Sequence, residues 1–418
     1  MGQSTTGCGY LLAAIVLSWA LVLAPVNGAS ETTPPGLKSY PGRYYTIYTD
    51  LDANAAREAE ARMTAMAEEY HRRTRGFAGA IRKRLPFYLF RKAEDYYQAG
   101  GTPGSAGIYH PKKEVLMALA DTGTDDQLWH VIQHEGFHQF VDKVVGGRIP
   151  IWVNEGLAEY FGQGVWTGDG FVTGVIPPHR LKALQAYIRA GELLPFAKMI
   201  SITRKQWSNA LGQASRPRSP ADADARANDP NAKANRAQIH YDQAWSMVHF
   251  LVHAANGRYR KAFSAMISDI SRGRTPGAAF RTRLGRNVQA FEKRYKDWWL
   301  AQPENPTAGL YIQAVVQTLT SFLARAVSQG QTFADPEDFF RQARRGRLKS
   351  HSDQWLPGSL LDRTLLYARP WKRGWRLDAA ETLPRLVLAW PNGKTYTGTF
   401  THRGGKAYGV RVTVTGRK

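Results

Sequence analysis

The chain has 418 residues, 43% of them apolar, enough to bury one large domain and a smaller unit beside it. Its formal net charge of +22 draws it toward polyanions. Basic runs such as 258–261 and 344–349 come with no recognisable binding module, however, so they read as solvated surface in non-specific contact with anionic polymers rather than as a specific nucleic-acid site. The single cysteine, Cys8, falls in the leader, which excludes a disulfide framework and a thiol nucleophile from the mature chain.

Residues 1–28 read as a signal peptide: an apolar stretch from Leu11 to Ala24, then Pro25, then small residues up to Gly28 or Ala29. No Lys or Arg precedes the apolar stretch. Cleavage gives an exported, periplasmic or extracellular protein, whereas an uncut leader gives an N-terminal membrane anchor. The short apolar run and Pro25 favour cleavage.

The run YYTIY at 44–48 predicts a strand, and the Ala- and Glu-rich stretch from Asp52 to about Arg75 a helix. LPFYLF at 85–90 predicts a second strand, and GIYHPKKEVLMAL at 107–119 a hairpin. Together they predict an α/β (α+β) fold with a small mixed sheet and a mostly helical lower part. Leu128, Val131, Ile132, Phe137, Phe140 and Val141 then repeat at helical spacing up to Gly146 and Gly147. Further helices are expected from about Ile151 to Phe161 and from Arg180 to Gly191. Residues 213–236 have almost no large apolar side chain and read as a mobile insertion. Helical patterns resume at 241–255, 291–302 and 311–328. The final segment alternates like strands and breaks at PNGK and RGGK, as a small β module would. The expected organisation is a unit at 37–302, a helical extension at 303–370 and a β-rich module at 371–418.

Positions four apart on a helix share a face, so His134 and His138 of the HEGFH segment offer two imidazole nitrogens to one ion, with Glu135 beside them. A catalytic zinc takes three protein ligands and keeps a fourth position for water. Glu155 is the expected third ligand, because the chain turns through Gly146, Gly147 and Pro150 and a second helix brings WVNEGLAEYF back past the first. Glu159 lies one turn further on, placed to accept the remaining N–H of a ligating histidine. Glu135 is left to take a proton from the attacking water. His130, one turn before His134, is the other pairing, but it leaves no glutamate in the base position.

HEGFH at 134–138 with NEGLAEY at 154–160 resembles the gluzincin metallopeptidases, both thermolysin-like and aminopeptidase-N-like, whose third ligand is the Glu of an NE-containing helix. The P-x-W-x-x-E-G-x-A-E-Y pattern at 150–160 is most similar to gluzincins of unassigned function in bacterial genomes, over roughly residues 40–300. The resemblance implies a Zn2+ cofactor, a peptide or protein substrate and peptide-bond hydrolysis. It also makes Tyr241 of YDQA at 241–244 the counterpart of the tyrosine in a downstream Tyr-Glu-Lys-Gly helix, which donates to the oxyanion. Here Asp-Gln-Ala replaces Glu-Lys-Gly. The Gly-x-Met-Glu-Asn signature that grips a substrate amino terminus is not evident, so aminopeptidase activity is not implied.

Tyr241 is either this donor or an ordinary aromatic at a helix start, and His240, His249 and His253 read as structural. The arm Ala106, Gly107, Ile108 is either an edge on which an extended peptide adds by main-chain hydrogen bonds or a strand edge that is merely capped. Two rival functions remain: an exported binding protein with a structural zinc, and a zinc hydrolase of a non-peptide amide or ester.

Overall fold

The computed structural model describes residues 36–120, 125–146, 149–214, 231–378 and 383–416. The leader and residues 215–230 of the expected insertion lie outside the described residues. An α/β fold is present, its first layer a five-stranded mixed sheet in the order β1-β2-β3-β5-β4: β1 (Lys38–Pro41), β2 (Tyr45–Thr49), β3 (Leu85–Phe90), β4 (Gly107–His110) and β5 (Val115–Leu119). Strands β2, β3 and β5 run parallel, and β1 and β4 are antiparallel edges. The composition follows from this position. Strand β5 reads VLMAL and is buried throughout, because helices cover both faces of the parallel centre. Helix α1 (Ala53–Thr74) covers one face through Ala59 and Met63, while α2 (Ala93–Ala99) closes the other with Tyr96. Asp52 caps α1, its side chain accepting from the Ala55 N–H at 2.9 Å.

Helix α3 (Asp125–Phe140) lies on the α1 face, with Leu128, Trp129 and Ile132 toward the sheet and Phe137 and Phe140 toward the helical layer below. It ends in one π-helical turn, Val141–Val145, closed by Gly146 in the left-handed region at φ 78°. The chain returns as α4 (Ile151–Gly162), every residue of which is buried. A helix enclosed on all sides has no solvent face for polar groups, so Asn154, Glu155 and Glu159 must find partners inside. Gln133 ties the two helices together, donating to the carbonyls of Phe161, Gly162 and Gly164 at 3.1–3.2 Å where α4 runs out of intrahelical donors.

Helices α5 (Pro178–Ala190), α6 (Phe196–Ser201) and α7 (Arg204–Ala214) follow, and α8 (Asn231–Gly257) packs against α4. Two corrections to the expected pattern belong here. Residues 213–214 and 231–236 are helical, the latter because Ala, Lys and Arg favour a helix without needing a core. YDQA therefore lies inside α8 and does not open it. Helix α8 loses helical geometry at Ala254–Asn256, where Ala255 and Asn256 have positive φ. Helices α9 (Arg260–Ser271), α10 (Pro276–Arg283) and α11 (Val288–Leu300) complete this layer.

The C-terminal part adds α12 (Ala308–Ser328), α13 (Pro336–Arg344) and α14 (Gly358–Ala368), then four antiparallel strands in the order β11-β10-β9-β8. These are β8 (Trp375–Asp378), β9 (Arg385–Ala389), β10 (Thr395–Arg403) and β11 (Lys406–Thr415), with turns at PNGK and RGGK as the sequence predicts. Helix α12 is apolar and long enough to cross a membrane by composition, yet it is mostly buried, packed across β9, β10 and β11. Its approach is close enough that a Cβ on Gly398 would meet Thr320 Oγ1 at 1.9 Å. The short hairpin β6 (Val165–Trp166) and β7 (Phe171–Val172), which follows α4, docks on the same helix. Arg325 pairs with Asp169 at 2.7 Å, Gln317 donates to Thr167 Oγ1 at 3.0 Å, and Thr307 Oγ1 accepts from the Ile176 N–H at 2.9 Å.

Gly156 sets the distance between α4 and α8. A Cβ there would lie 2.4 Å from the Ala244 carbonyl oxygen and 2.7 Å from Val248 Cγ2. Both contacts belong to a packed helix, so Gly156→Ala should force the helices apart and cost about 1–3 kcal/mol. Thermal unfolding checks this, and an unchanged midpoint would show that the helices yield freely.

Candidate metal centre

Helix α3 carries His134, Glu135 and His138, and α4 crosses it with Glu155 facing the two imidazoles. His134 Nε2 and His138 Nε2 are 3.1 Å apart, and Glu155 Oε2 lies 3.6 Å from the first and 3.5 Å from the second. Tetrahedral zinc with ligand distances near 2.0–2.1 Å spaces its ligands by about 3.3 Å, so this triangle has the size such an ion requires.

Each histidine has an acceptor behind it. His138 Nδ1 lies 3.2 Å from Asn154 Oδ1, and His134 Nδ1 lies 3.2 Å from Glu159 Oε1, obliquely enough to fall short of a well-aligned hydrogen bond. In the neutral rings both acceptors favour the proton on Nδ1, so each Nε2, once free of a second proton, turns its lone pair toward the other and toward a carboxylate. Glu155 Oε2 is buried with no hydrogen-bond partner among the described residues. An orphaned carboxylate oxygen between two imidazole lone pairs fits a cation, and two nitrogens with one oxygen suit zinc among the common ions.

The charge balance points the same way. Glu135, Glu155, Glu159 and Asp242 are all at most 5% exposed, and Arg180 is the guanidinium buried among them. Burial works against the charged form of His134, but contacts with Glu155 and Glu159 and the field of Glu135 lift it to about 10. Burial likewise opposes ionisation of Glu155, yet His138 and His134 hold it down to about 2. Glu155, and Glu159 beside Arg180, thus stay ionised and attract positive charge.

Glu135, next to His134 in the chain, also brings a carboxylate oxygen within 4.8 Å of the two imidazoles, so it forms a possible ligand group with them. Its Oε2 accepts the backbone N–H of Tyr109 at 2.9 Å. Tyr109 belongs to the edge strand β4, and its hydroxyl donates to Asp142 at 2.6 Å, fastening the strand to the end of α3. Ala106 gives its carbonyl to Leu119 at 2.9 Å, and the antiparallel alternation turns Ile108 toward β5 as well. Of the three edge residues singled out in the sequence, Gly107 is the one whose peptide groups face outward, as those of Tyr109 do. Both residues are buried, and α3 lies close to Gly107, since a Cβ there would sit 2.8 Å from Val131 Cγ1.

Tyr241 reaches the site from α8. Its ring centroid is 6.4 Å from that of His134, and its hydroxyl is buried with no hydrogen-bond partner among the described residues. Burial, then the charges of Glu155, Glu159 and Glu135, push its ionisation well up, so the phenol keeps its proton. His130, His134 and Glu159 form a second possible ligand group. However, Glu159 Oε2 already accepts from Arg180 Nη1 at 2.7 Å and stands 3.9 Å from His130 Nε2. His249 and His253 lie away from this cluster, against the Gly174 carbonyl at 3.1 Å and the Tyr160 hydroxyl at 2.9 Å.

Sequence reasoning missed Asn154, Tyr109, Arg180 and Asp242. Asn154 was visible in the NE pair, but nothing local marked Arg180 or the main chain of Tyr109. No protein-family model matches this sequence, and no curated protein is detectably similar to it.

Because Asn154 orients His138, Asn154→Ala should weaken binding of a divalent transition metal by about 10–100-fold, the usual cost of losing such a partner. Competition with a chelator measures this. Wild-type affinity in the variant would mean that the contact orients nothing.

Proposed function

We propose that this chain is an exported zinc-dependent hydrolase of the gluzincin kind that cleaves peptide bonds. The observation that carries the reading is the meeting of His134 Nε2, His138 Nε2 and Glu155 Oε2 within 3.1–3.6 Å, beside a glutamate that is not needed as a ligand. A zinc ion held there would polarise a carbonyl and acidify a water.

The chain's own groups divide the remaining work. Glu135 keeps one oxygen on the Tyr109 N–H and would use the other to take a proton from the attacking water and pass it to the leaving amine. Tyr241 is a protonated donor whose hydroxyl is uncommitted, suited to a carbonyl oxygen as that oxygen gains charge. The choice of a peptide substrate rests on the resemblance of the segments 134–138 and 154–160 to metallopeptidases. Action outside the cytoplasm rests on the leader.

A peptide-library digest with and without chelator, together with zinc analysis, tests the reading. The wild type should cleave and should stop when chelated, and His134→Ala or His138→Ala should lose the metal. Glu135→Gln should keep zinc and lose about 10²–10⁴-fold in turnover. Stoichiometric zinc in both histidine variants would refute the ligand assignment, and normal turnover in Glu135→Gln would give that residue another role.

Tyr241→Phe separates catalysis from packing. As an oxyanion donor, the hydroxyl should be worth about 10²–10³ in turnover with zinc content and KM nearly unchanged. Among the described residues it has no hydrogen-bond partner, so a packing role predicts wild-type turnover with a melting temperature no lower than wild type.

A further inference from the structure

Arg180 lies on α5, which supplies none of the groups assigned above. It is 5% exposed and joins two carboxylates from two other helices. Its Nη1 donates to Glu159 Oε2 on α4 at 2.7 Å, and its Nε donates to Asp242 Oδ1 on α8. Trp245 stacks against the guanidinium, 4.3 Å from the ring centroid. Glu159 turns its other oxygen to His134 Nδ1 at 3.2 Å, and Asp242 is the residue next to Tyr241. A continuous buried path therefore runs from His134 through Glu159, Arg180 and Asp242 to the backbone that carries the Tyr241 hydroxyl.

We propose that Arg180 is a positioning residue that holds the His134 ring and the Tyr241 hydroxyl at a fixed separation, coupling metal affinity to turnover. This rests on the reading of the site as a metallohydrolase. The physical reason is the shape of the guanidinium. It is planar and always charged, with donors at fixed angles, so two carboxylates bound to two of its nitrogens are set relative to each other. A lysine ammonium is a point charge that fixes neither angle. Among the described residues Arg180 Nη2 has no hydrogen-bond partner despite its burial, so the two carboxylate bonds and the Trp245 ring decide where the group sits. Removing Asp242 would let the guanidinium follow Glu159, disturbing the acceptor behind His134 although Asp242 touches no ligand.

The full-length chain, stripped of metal and titrated with cobalt(II), tests this. The visible absorption of cobalt reports ligand geometry, and competition with a chelator gives affinity. Arg180→Lys should remain folded, change the cobalt spectrum, and lower both cobalt affinity and peptide turnover by tenfold or more. Asp242→Asn should lower cobalt affinity at least threefold more when Arg180 is present than in an Arg180→Met background, because the path is broken in the latter. Should Arg180→Met fail to fold, Arg180→Lys and Asp242→Asn decide the matter alone. Cobalt affinity and spectrum like wild type in both, with only a lowered melting temperature, would overturn the inference and leave Arg180 as a structural pair. A wild-type chain that takes up no cobalt overturns the metal reading, and this inference with it.

Discussion

Four carboxylates and one guanidinium share the interior where α3, α4, α5 and α8 meet, and the folded chain must keep that excess of negative charge out of water. Unpaired charge in such a place is costly, so each group is committed: Glu159 and Asp242 to Arg180, Glu135 to a backbone N–H, Glu155 to two imidazoles. Glu155 is the one whose commitment is incomplete, since among the described residues its Oε2 has no well-aligned hydrogen-bond donor. The rest of the architecture serves this cluster. The sheet supplies a flat support for α3, and the close approach at Gly156 brings α8 to α4. The Gln133 amide pins the end of α4 to α3, and the π turn after Phe140 redirects the chain.

That electrostatic requirement explains why polar residues occur in α4, a helix with no solvent face. Apolar side chains at positions 154, 155 and 159 would make a more stable helical layer at lower risk, because buried ion pairs seldom improve on good packing. Their presence signals a use other than stability. The neighbouring group of Tyr160, His253 and His249 is the contrasting case. Those imidazoles are held neutral by burial, with a hydroxyl and a carbonyl as partners, and no carboxylate faces them within hydrogen-bond reach.

Much of this was legible in one sequence because the informative contacts are local or periodic. LPFYLF at 85–90 is a strand at those residues, and the hairpin at 107–119 turns where HPKK lies. His134 and His138 face one way because they are four apart on a helix, and Glu155 follows from the short return of the chain. The illegible parts depend on distant partners or on the main chain. Arg180 meets Asp242 across 62 positions. The hold on Glu135 comes from a peptide N–H, which has no residue signature at all. Helix α8 begins earlier than its apolar stripe because alanine and lysine form helix without needing a core, and a search for buried faces overlooks such a turn. Short elements such as α2, β6 and β7 escaped for the opposite reason, being too brief to show a period.

The contacts among Asp169, Thr167, Arg325 and Gln317 bear on how this protein can be dissected. They tie the hairpin that follows α4 to α12, and Thr307 adds a second tie to the main chain of Ile176. A cut near residue 303 would strip Asp169 of its guanidinium and uncover the apolar side of that hairpin a few residues beyond the helix that bears Glu155. The α/β unit is therefore not a portable unit by itself. Domain-shuffling experiments that keep the two glutamate- and histidine-bearing helices must also carry α12 and the sheet it packs on.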